Sequence, residues 1–225
     1  MGEGRGIYSV AMFQFAASDA SLAAVSYKKA AGFCVFVPLP LGLRRNADGA
    51  LHFLSSRGVF MFKEMRRHKQ LLSAEDSAAV LRRGTSGVLA LLGDDGYPYA
   101  VPLSYVFDGD KLFFHSAKAG HKLDAIRRCP KASFCVIDQD QIVPEEYTTY
   151  FRSVIAFGAI RELEDEGEKR AAIEKLARKY APNDTLDGMN AAIERDWAPL
   201  CMLEMTIDHM TGKEAIELVK AKEAK

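Results

Sequence analysis

Apolar residues along the chain follow two spacings, and these divide the sequence into strands and helices. Alternating apolar and polar positions bounded by turn residues predict strands, whereas apolar positions three or four apart predict helices. Strands are predicted over residues 86–92, 97–107, 111–116, 132–138, 147–163 and 200–207, and helices over residues 73–82, 121–129, 166–180 and 186–196. Six strands with Greek-key-length connections and helices outside them indicate a mainly β antiparallel barrel or sandwich.

Residues outside these regular patterns also predict local structure. Residues 139–145 are polar and are predicted to form a loop. Residues 212–225 are predicted to form a charged tail whose first part also suits a helix. Gly158 interrupts a long β-prone run, which is typical of a bulge or of a close approach between backbones.

The first sixty residues lack a persistent period of either kind. Their longest apolar run is broken by two prolines and is shorter than a membrane span requires. Charged residues interrupt any signal-peptide core. Residues 1–60 are therefore interpreted as a poorly ordered extension or as upstream sequence from a misplaced start codon, with the folded domain over residues 61–225.

The composition of the chain argues against several classes of function. The chain has 225 residues and a formal net charge of zero, so it lacks the basic footprint of a nucleic-acid-binding protein. Its four cysteines are widely spaced without a C-x-x-C pair, which gives no support to a zinc or dithiol site. We expect a cytoplasmic protein with no metal, nucleic-acid or membrane partner.

The stretch over residues 111–122 combines a strand end, a short loop and a helix start. It presents the hydroxyl of Ser116, the imidazole of His121 and the ammonium groups of Lys118 and Lys122. A helix start adds free N–H groups and about half a positive charge. Fixed donors with positive charge are what a phosphate dianion requires, so this junction is predicted to bind a phosphate group.

Five short motifs follow one another along the chain: Gly96-Tyr97-Pro98-Tyr99, Pro102-Leu103-Ser104-Tyr105, His115-Ser116-Ala117 with Gly120-His121-Lys122, Arg152-Ser153-Val154 with Gly158, and His209-Met210-Thr211-Gly212-Lys213. In this order they resemble the flavin-binding split barrels of the pyridoxamine 5′-phosphate oxidase-like family, particularly the NimA-like branch named for 5-nitroimidazole resistance. The resemblance spans residues 61 to about 216. It implies a six-stranded split barrel that forms a homodimer with FMN between the subunits.

The resemblance also implies which residues contact the cofactor. Ser116, His121 and Lys122 would hold the phosphate, with surface solvation as the alternative for each. The flavin ring would lie along residues 102–105, where Leu103 and Tyr105 also suit a core or hairpin position. The full set is Pro102, Leu103, Ser104, Tyr105, His115, Ser116, Ala117, His121, Lys122 and Ser153.

Departures from the family pattern argue against oxidation of vitamin B6. Ser153 stands where the oxidases carry a longer Gln, Ala100 where they carry an Arg, and His121 where they carry another Arg. The chain also ends in a charged tail rather than in the segment with which the oxidases recognise pyridoxal phosphate.

His115 is the catalytic candidate because it lies at the end of a strand beside the implied ring. A neutral imidazole can stack, donate a hydrogen bond or transfer a proton near pH 7. The alternative role of His115 is structural: its side chain would line the pocket and form a hydrogen bond with the backbone. No mechanism is evident for His209.

Two functions follow from these expectations. The first is an FMN-dependent reductase that passes electrons from reduced flavin to a small organic acceptor, such as a nitroaromatic 5-nitroimidazole. The second is a flavin- or haem-binding module without turnover that acts as a carrier, sensor or sink, with His115 or His121 as the iron ligand.

Overall fold

The structure is a computed structural model that describes residues 62–224 and two short strands nearer the N-terminus. These strands, β1 (Lys29–Ala30) and β2 (Phe33–Cys34), pair with each other in antiparallel register. The chain divides into two units after residue 60. The interpretation of residues 1–60 as an extension or as upstream sequence concerns mostly residues outside this description, and it stays a prediction.

The second unit is built on one antiparallel sheet of seven strands in the order β4-β3-β7-β8-β9-β6-β5. Every neighbouring pair in this order is antiparallel. The strands are β3 (Ser86–Leu92), β4 (Pro98–Ser104), β5 (Val106–Asp108), β6 (Lys111–Ala117), β7 (Lys131–Val143), β8 (Thr148–Glu162) and β9 (Leu200–Glu214). The helices in this unit are α1 (Ala74–Arg83), α2 (His121–Arg128), α3 (Glu166–Tyr180), α4 (Leu186–Asp196) and α5 (Ile216–Glu223).

Tyr105 divides the strand that was predicted over residues 97–107, so the sheet has seven strands rather than six. On one side of Tyr105, β4 pairs with β3, and on the other side β5 pairs with β6. These two strands lie at opposite ends of the strand order, yet one residue joins them. The sheet must therefore curl until its two edges meet at Tyr105, which gives a barrel that is split along this line.

The hydrogen bonds of Tyr105 compensate for this break in the ladder. Its N–H donates to the Tyr180 hydroxyl at 2.9 Å, and that hydroxyl faces the carbonyl oxygens of Thr85 and Tyr105. Its own hydroxyl donates to the carbonyl of Leu81 at 2.8 Å, and its ring packs edge-on against Phe134. Burial raises the pKa of the Tyr105 phenol. Tyr105 is thus a core residue whose N–H group and phenol hydroxyl are both hydrogen-bonded.

Apolar side chains fill both the barrel and a second layer outside it. The interior cluster includes Leu89, Phe114, Phe134, Val154 and Leu203. The outer cluster joins α3 to the sheet and includes Phe113, Leu163, Ala172, Leu176 and Met202. Alternation along β6 explains the two layers, because Phe113 and Phe114 point to opposite faces of the same strand.

Two strands extend beyond their predicted ends. The loop predicted over residues 139–145 is wrong, because β7 continues to Val143 and pairs with β8 as far as Thr148. β9 likewise continues past residue 207, and its Glu214 pairs with Arg152 of β8. In both cases pairing with the long strand β8 overrides a polar local composition. The predicted tail contributes the end of β9 and the helix α5.

Gly158 is confirmed as a close approach between backbones, and the bulge beside it is on β9, where Asp208 has no register partner in β8. The register between β8 and β9 shifts between Phe157 and Gly158. A Cβ atom added at Gly158 would lie 1.9 Å from the carbonyl oxygen of Thr206, so any side chain would displace β9.

A chain of ion pairs ties the ends of the long strands to two helices. Arg152 of β8 contacts Asp138 at 3.2 Å and Glu214 at 3.0 Å. Arg83 of α1 also binds Asp138, and Lys222 of α5 binds Glu214 at 2.7 Å. The hydrogen bond from Arg83 holds the pKa of Asp138 below its usual value. Both carboxylates are largely buried, and each has two cationic partners.

We expect Tyr180→Phe to lower the free energy of unfolding by about 1–3 kcal/mol, because it removes the partner of the Tyr105 N–H at the break in the barrel. Denaturant titration measures this loss. Tyr147→Phe is the matched control, because that side chain is 98% exposed and its change should stay within about 0.5 kcal/mol. Equal stability of the two variants would contradict the role assigned to the Tyr180 hydroxyl.

Candidate functional site

The junction between β6 and α2 leaves a helix start facing open space. Gly120 is the N-cap residue of α2, with φ of 128°, in a region that favours glycine. No side chain caps this helix, and a Cβ atom at Gly120 would meet nothing within 4 Å. The first N–H groups of α2 are therefore available to an anion.

Lys122 brings a partly desolvated positive charge to the same junction. Its side chain is half-buried, and burial lowers its pKa. Within residues 62–224 it has no carboxylate partner. Lys122 also interacts electrostatically with Cys201, which is the register partner of Ser116 on β6. A half-buried ammonium without a carboxylate is a group that a bound anion would stabilise.

His121 occupies a different environment from Lys122. Its Nε2 atom lies 3.1 Å from Asp94, and its ring stacks on Tyr99 at a centroid distance of 4.2 Å. Arg128 binds the other oxygen of the same carboxylate at 2.6 Å. The imidazole thus faces a carboxylate in this structure, and its contact with a phosphate stays a prediction.

Exposure alternates along the strand that was predicted to lie beside a flavin ring. Pro102 and Ser104 are exposed, whereas Leu103 is half-buried and packs against the interior cluster. Tyr105 is fully buried, and its hydroxyl donates to Leu81. Only the outward-facing pair, Pro102 and Ser104, presents accessible side chains to a ligand on this face.

A cavity of about 400 Å³ lies between the part of β6 that contains His115 and the helices α3 and α4. His115 and Ser104 belong to its wall, and both side chains are exposed. Ser116 follows His115 on β6 and therefore points to the opposite face. The lining residues are Ser104, His115, Ile173, Leu176, Ala177, Tyr180, Ala181, Asp184, Met189, Ala192, Ile193, Asp196 and Leu200.

The outer face of the sheet next to Pro102 is apolar and accessible. Pro102 is the register partner of Val88, which pairs with Cys135, which in turn pairs with Ile155. Val88 and Ile155 are 38% and 37% exposed, and Ile137 further along β7 is 67% exposed. A row of uncovered apolar side chains across four strands is typical of an interaction surface.

Two of the family-like motifs have structural roles here. Arg152 is held in ion pairs, while its neighbour Ser153 is half-buried and pairs in register with Ile137 and Lys213. In the segment 209–213, a Cβ atom at Gly212 would lie 2.3 Å from the Oγ atom of Ser77, so glycine is required for packing against α1.

His209 is also explained by packing. Its ring stacks on Phe62 at a centroid distance of 4.5 Å and an interplanar angle of 9°, and both rings lie near Phe157.

Residues 73–214 match the family described as pyridoxamine 5′-phosphate oxidase. The chain belongs to this family. The match covers α1 and every strand of the large sheet, so the family resemblance of the sequence motifs is confirmed.

Comparison with curated proteins finds an uncharacterised protein of Rhizobium meliloti, RA0666, which is 32% identical over 94 residues. That match covers 42% of this chain and 57% of the relative, so the chain spans a little over half of the length of that protein.

Solved structures share the fold at low identity. A candidate 5-nitroimidazole antibiotic resistance protein from Bacteroides thetaiotaomicron has a TM-score of 0.54 and 19% identity, covering 64% of this chain and 86% of that one. An FAD- and haem-binding protein from Mycobacterium smegmatis has a TM-score of 0.52 and 22% identity, covering 65% and 73%. The flavocytochrome Anf3 from Azotobacter vinelandii has a TM-score of 0.54 and 16% identity, covering 68% and 72%. These likenesses confirm the split-barrel fold.

The sequence did not reveal the cavity walls on α3 and α4. Their apolar periodicity predicted helices, but only the fold brings Ile173 and Ile193 to the end of β6. The described residues contain no cluster of three or more potential metal ligands. None of the helices described is both long and apolar enough to cross a membrane.

Proposed function

We propose that the protein binds FMN and acts as a reductase for a small organic acceptor such as a nitroaromatic compound. The observation that carries the proposal is the half-buried Lys122 beside the uncapped start of α2. Membership of the pyridoxamine 5′-phosphate oxidase family supports it, as do structural neighbours described as a flavocytochrome and as an FAD- and haem-binding protein.

Each part of the site has a separate task in this proposal. Lys122 and the first N–H groups of α2 bind the phosphate, with the Ser116 hydroxyl as a further donor. Pro102 gives the flavin ring an apolar contact, and Ser104 supplies polar donors to it. Reduced FMN supplies the electrons. His115, exposed at the cavity wall, holds or donates a proton next to the acceptor.

His121 acts indirectly in this arrangement. Its Nε2 contact with Asp94 and its stacking on Tyr99 fix the first turn of α2. We therefore assign the main phosphate contact to Lys122, with His121 as a positioning residue.

The site is proposed to be completed by a second copy of the chain. The apolar row from Pro102 to Ile155 lies on the exposed outer face of the sheet and includes a residue assigned to the ring. A partner seated on this row would cover its apolar side chains and enclose the flavin, since ligand sites usually bury most of their ligand.

A second candidate is a haem- or flavin-binding module without turnover. The exposed imidazole of His115 favours it, because no described residue forms a hydrogen bond with that ring. His121 resembles a histidine ligand oriented by a carboxylate, since Asp94 lies beside one ring nitrogen. An absorption spectrum separates the candidates: flavin bands that bleach on reduction and return when a nitroaromatic is added support the reductase, whereas a Soret band supports the haem module.

We expect Lys122→Ala to weaken FMN binding about tenfold to a hundredfold, because a charge-assisted hydrogen bond contributes roughly 1.5–3 kcal/mol. Riboflavin lacks the phosphate and should bind wild type and variant equally. Fluorescence titration of both ligands into the dialysed protein measures the difference.

His121→Ala is the matched comparison one residue earlier, and it should weaken FMN binding less than Lys122→Ala does. If Lys122→Ala reduces the affinity for riboflavin as much as that for FMN, then the phosphate assignment is wrong and the pocket as a whole has been damaged.

We expect Ile155→Lys to convert a dimer to a monomer and to reduce FMN affinity, because it places a charge in the middle of the apolar row. Light scattering measures the mass. Leu186→Lys is the control, since Leu186 is 63% exposed at the start of α4, outside this face. A wild-type monomer that binds FMN tightly would refute the shared site.

A further inference from the structure

The cavity beside α3 and α4 contains surfaces that the proposed phosphate site and dimer face do not use. Its walls are mainly apolar and include Ile173, Leu176, Ala177, Met189 and Ile193. Its volume of about 400 Å³ lies within the range of roughly 300–1,000 Å³ that small-molecule sites occupy. It is thus large enough to take a separate ligand.

The charged residues of this wall all have the same sign. Asp184 precedes α4 and Asp196 ends it, and no lysine or arginine is among the lining residues of the described unit. Asp196 is paired with Arg195 at 2.9 Å, whereas Asp184 uses one carboxylate oxygen to accept the N–H of Thr185. Asp184 therefore leaves a negative charge at the cavity that favours a cation and disfavours an anion.

Aromatic side chains in the cavity wall favour a planar ligand. Tyr180 and His115 both contribute to the wall, and the Tyr180 hydroxyl is already bonded at the break in the barrel. Its ring belongs to the cavity wall, with the Lys179 ammonium 5.8 Å from the ring centroid, and planar rings pack favourably against such side chains.

We propose that this cavity binds a small aromatic molecule that carries an ammonium group, and that a nitro derivative of such a molecule is the electron acceptor. The nitro group would accept two electrons and two protons from reduced FMN to give a nitroso group and water, with a reduced nicotinamide as the source of the flavin's electrons. The second half of the inference rests on the proposed flavin function, because Ser104 and His115 belong both to the cavity and to the assigned flavin site. The first half depends only on the cavity and its charges.

The test uses three probes with one ring system and different charges: cationic tryptamine, neutral indole and anionic indole-3-propionate. Each is titrated into the purified full-length protein by calorimetry. Tryptamine should bind about two- to fivefold more tightly than indole, which is the contribution of an exposed ion pair, and indole-3-propionate should bind least tightly. Asp184→Asn should remove the preference for tryptamine, and Asp187→Asn, which changes a carboxylate outside the lining, should keep it.

Neighbouring alanines on α4 supply a steric control. Ala192 lines the cavity and Ala191 is exposed outside it. Ala192→Phe should weaken tryptamine binding by about tenfold or more by filling the space, while Ala191→Phe leaves it unchanged. Ala177→Phe fills the cavity from α3 and gives the same result independently if Ala192→Phe does not fold.

The outcomes separate this inference from the flavin proposal, because FMN uptake is measured in the same samples. Loss of tryptamine binding in Ala192→Phe with FMN uptake intact supports the cavity site. If tryptamine binds to a protein that takes up no FMN, the ligand site in the cavity is supported, and the assignment of its ligand as the electron acceptor is refuted. Equal affinity for the three probes, no binding of any, or equal effects of Ala191→Phe and Ala192→Phe would overturn the inference.

Discussion

The hydrogen bonds between Tyr105 and Tyr180 are the constraint on which the rest of the second unit depends. A strand that leaves one ladder and enters another has a residue whose backbone groups lose their partners. The end of α3 supplies the missing partner through one hydroxyl, so the closure of the barrel and the docking of α3 are one event. That closure places Ser104 of β4 and His115 of β6 on the wall of one cavity, and α3 forms another part of this wall.

Local patterns predicted the helices and β8 well and the ends of β7 and β9 poorly. α3 and α4 occupy their predicted residues, because caps and periodicity are local signals. Residues 139–143 are too polar to indicate a strand and become one because β8 offers a continuous partner. The division at Tyr105 was equally hidden, since its cause is a tyrosine 75 positions away along the chain.

The candidate site was partly predictable from the sequence, because local patterns reveal groups of residues that are close together in the chain. Residues 115–122 lie together in sequence, so a hydroxyl, a lysine and a helix start are recognised as one constellation. The structure distinguishes Lys122, which is half-buried without a carboxylate, from His121, which faces Asp94. The cavity was not predictable, because its walls come from segments that meet only when α3 and α4 pack on the sheet.

The pairing of β6 with β9 has a consequence for the order in which the molecule is assembled. Lys111 of β6 binds Glu204 of β9 across 93 positions of chain, and His115 and Ser116 pair with Met202 and Cys201 on the same strand. Contacts of such sequence separation form slowly, and during synthesis β6 has no ladder on this side until the ribosome has passed β9. The strand that carries the candidate ligand contacts is therefore expected to be among the last parts of the barrel to be fixed, so nascent chains should lack this part of the candidate site until most of the fold exists.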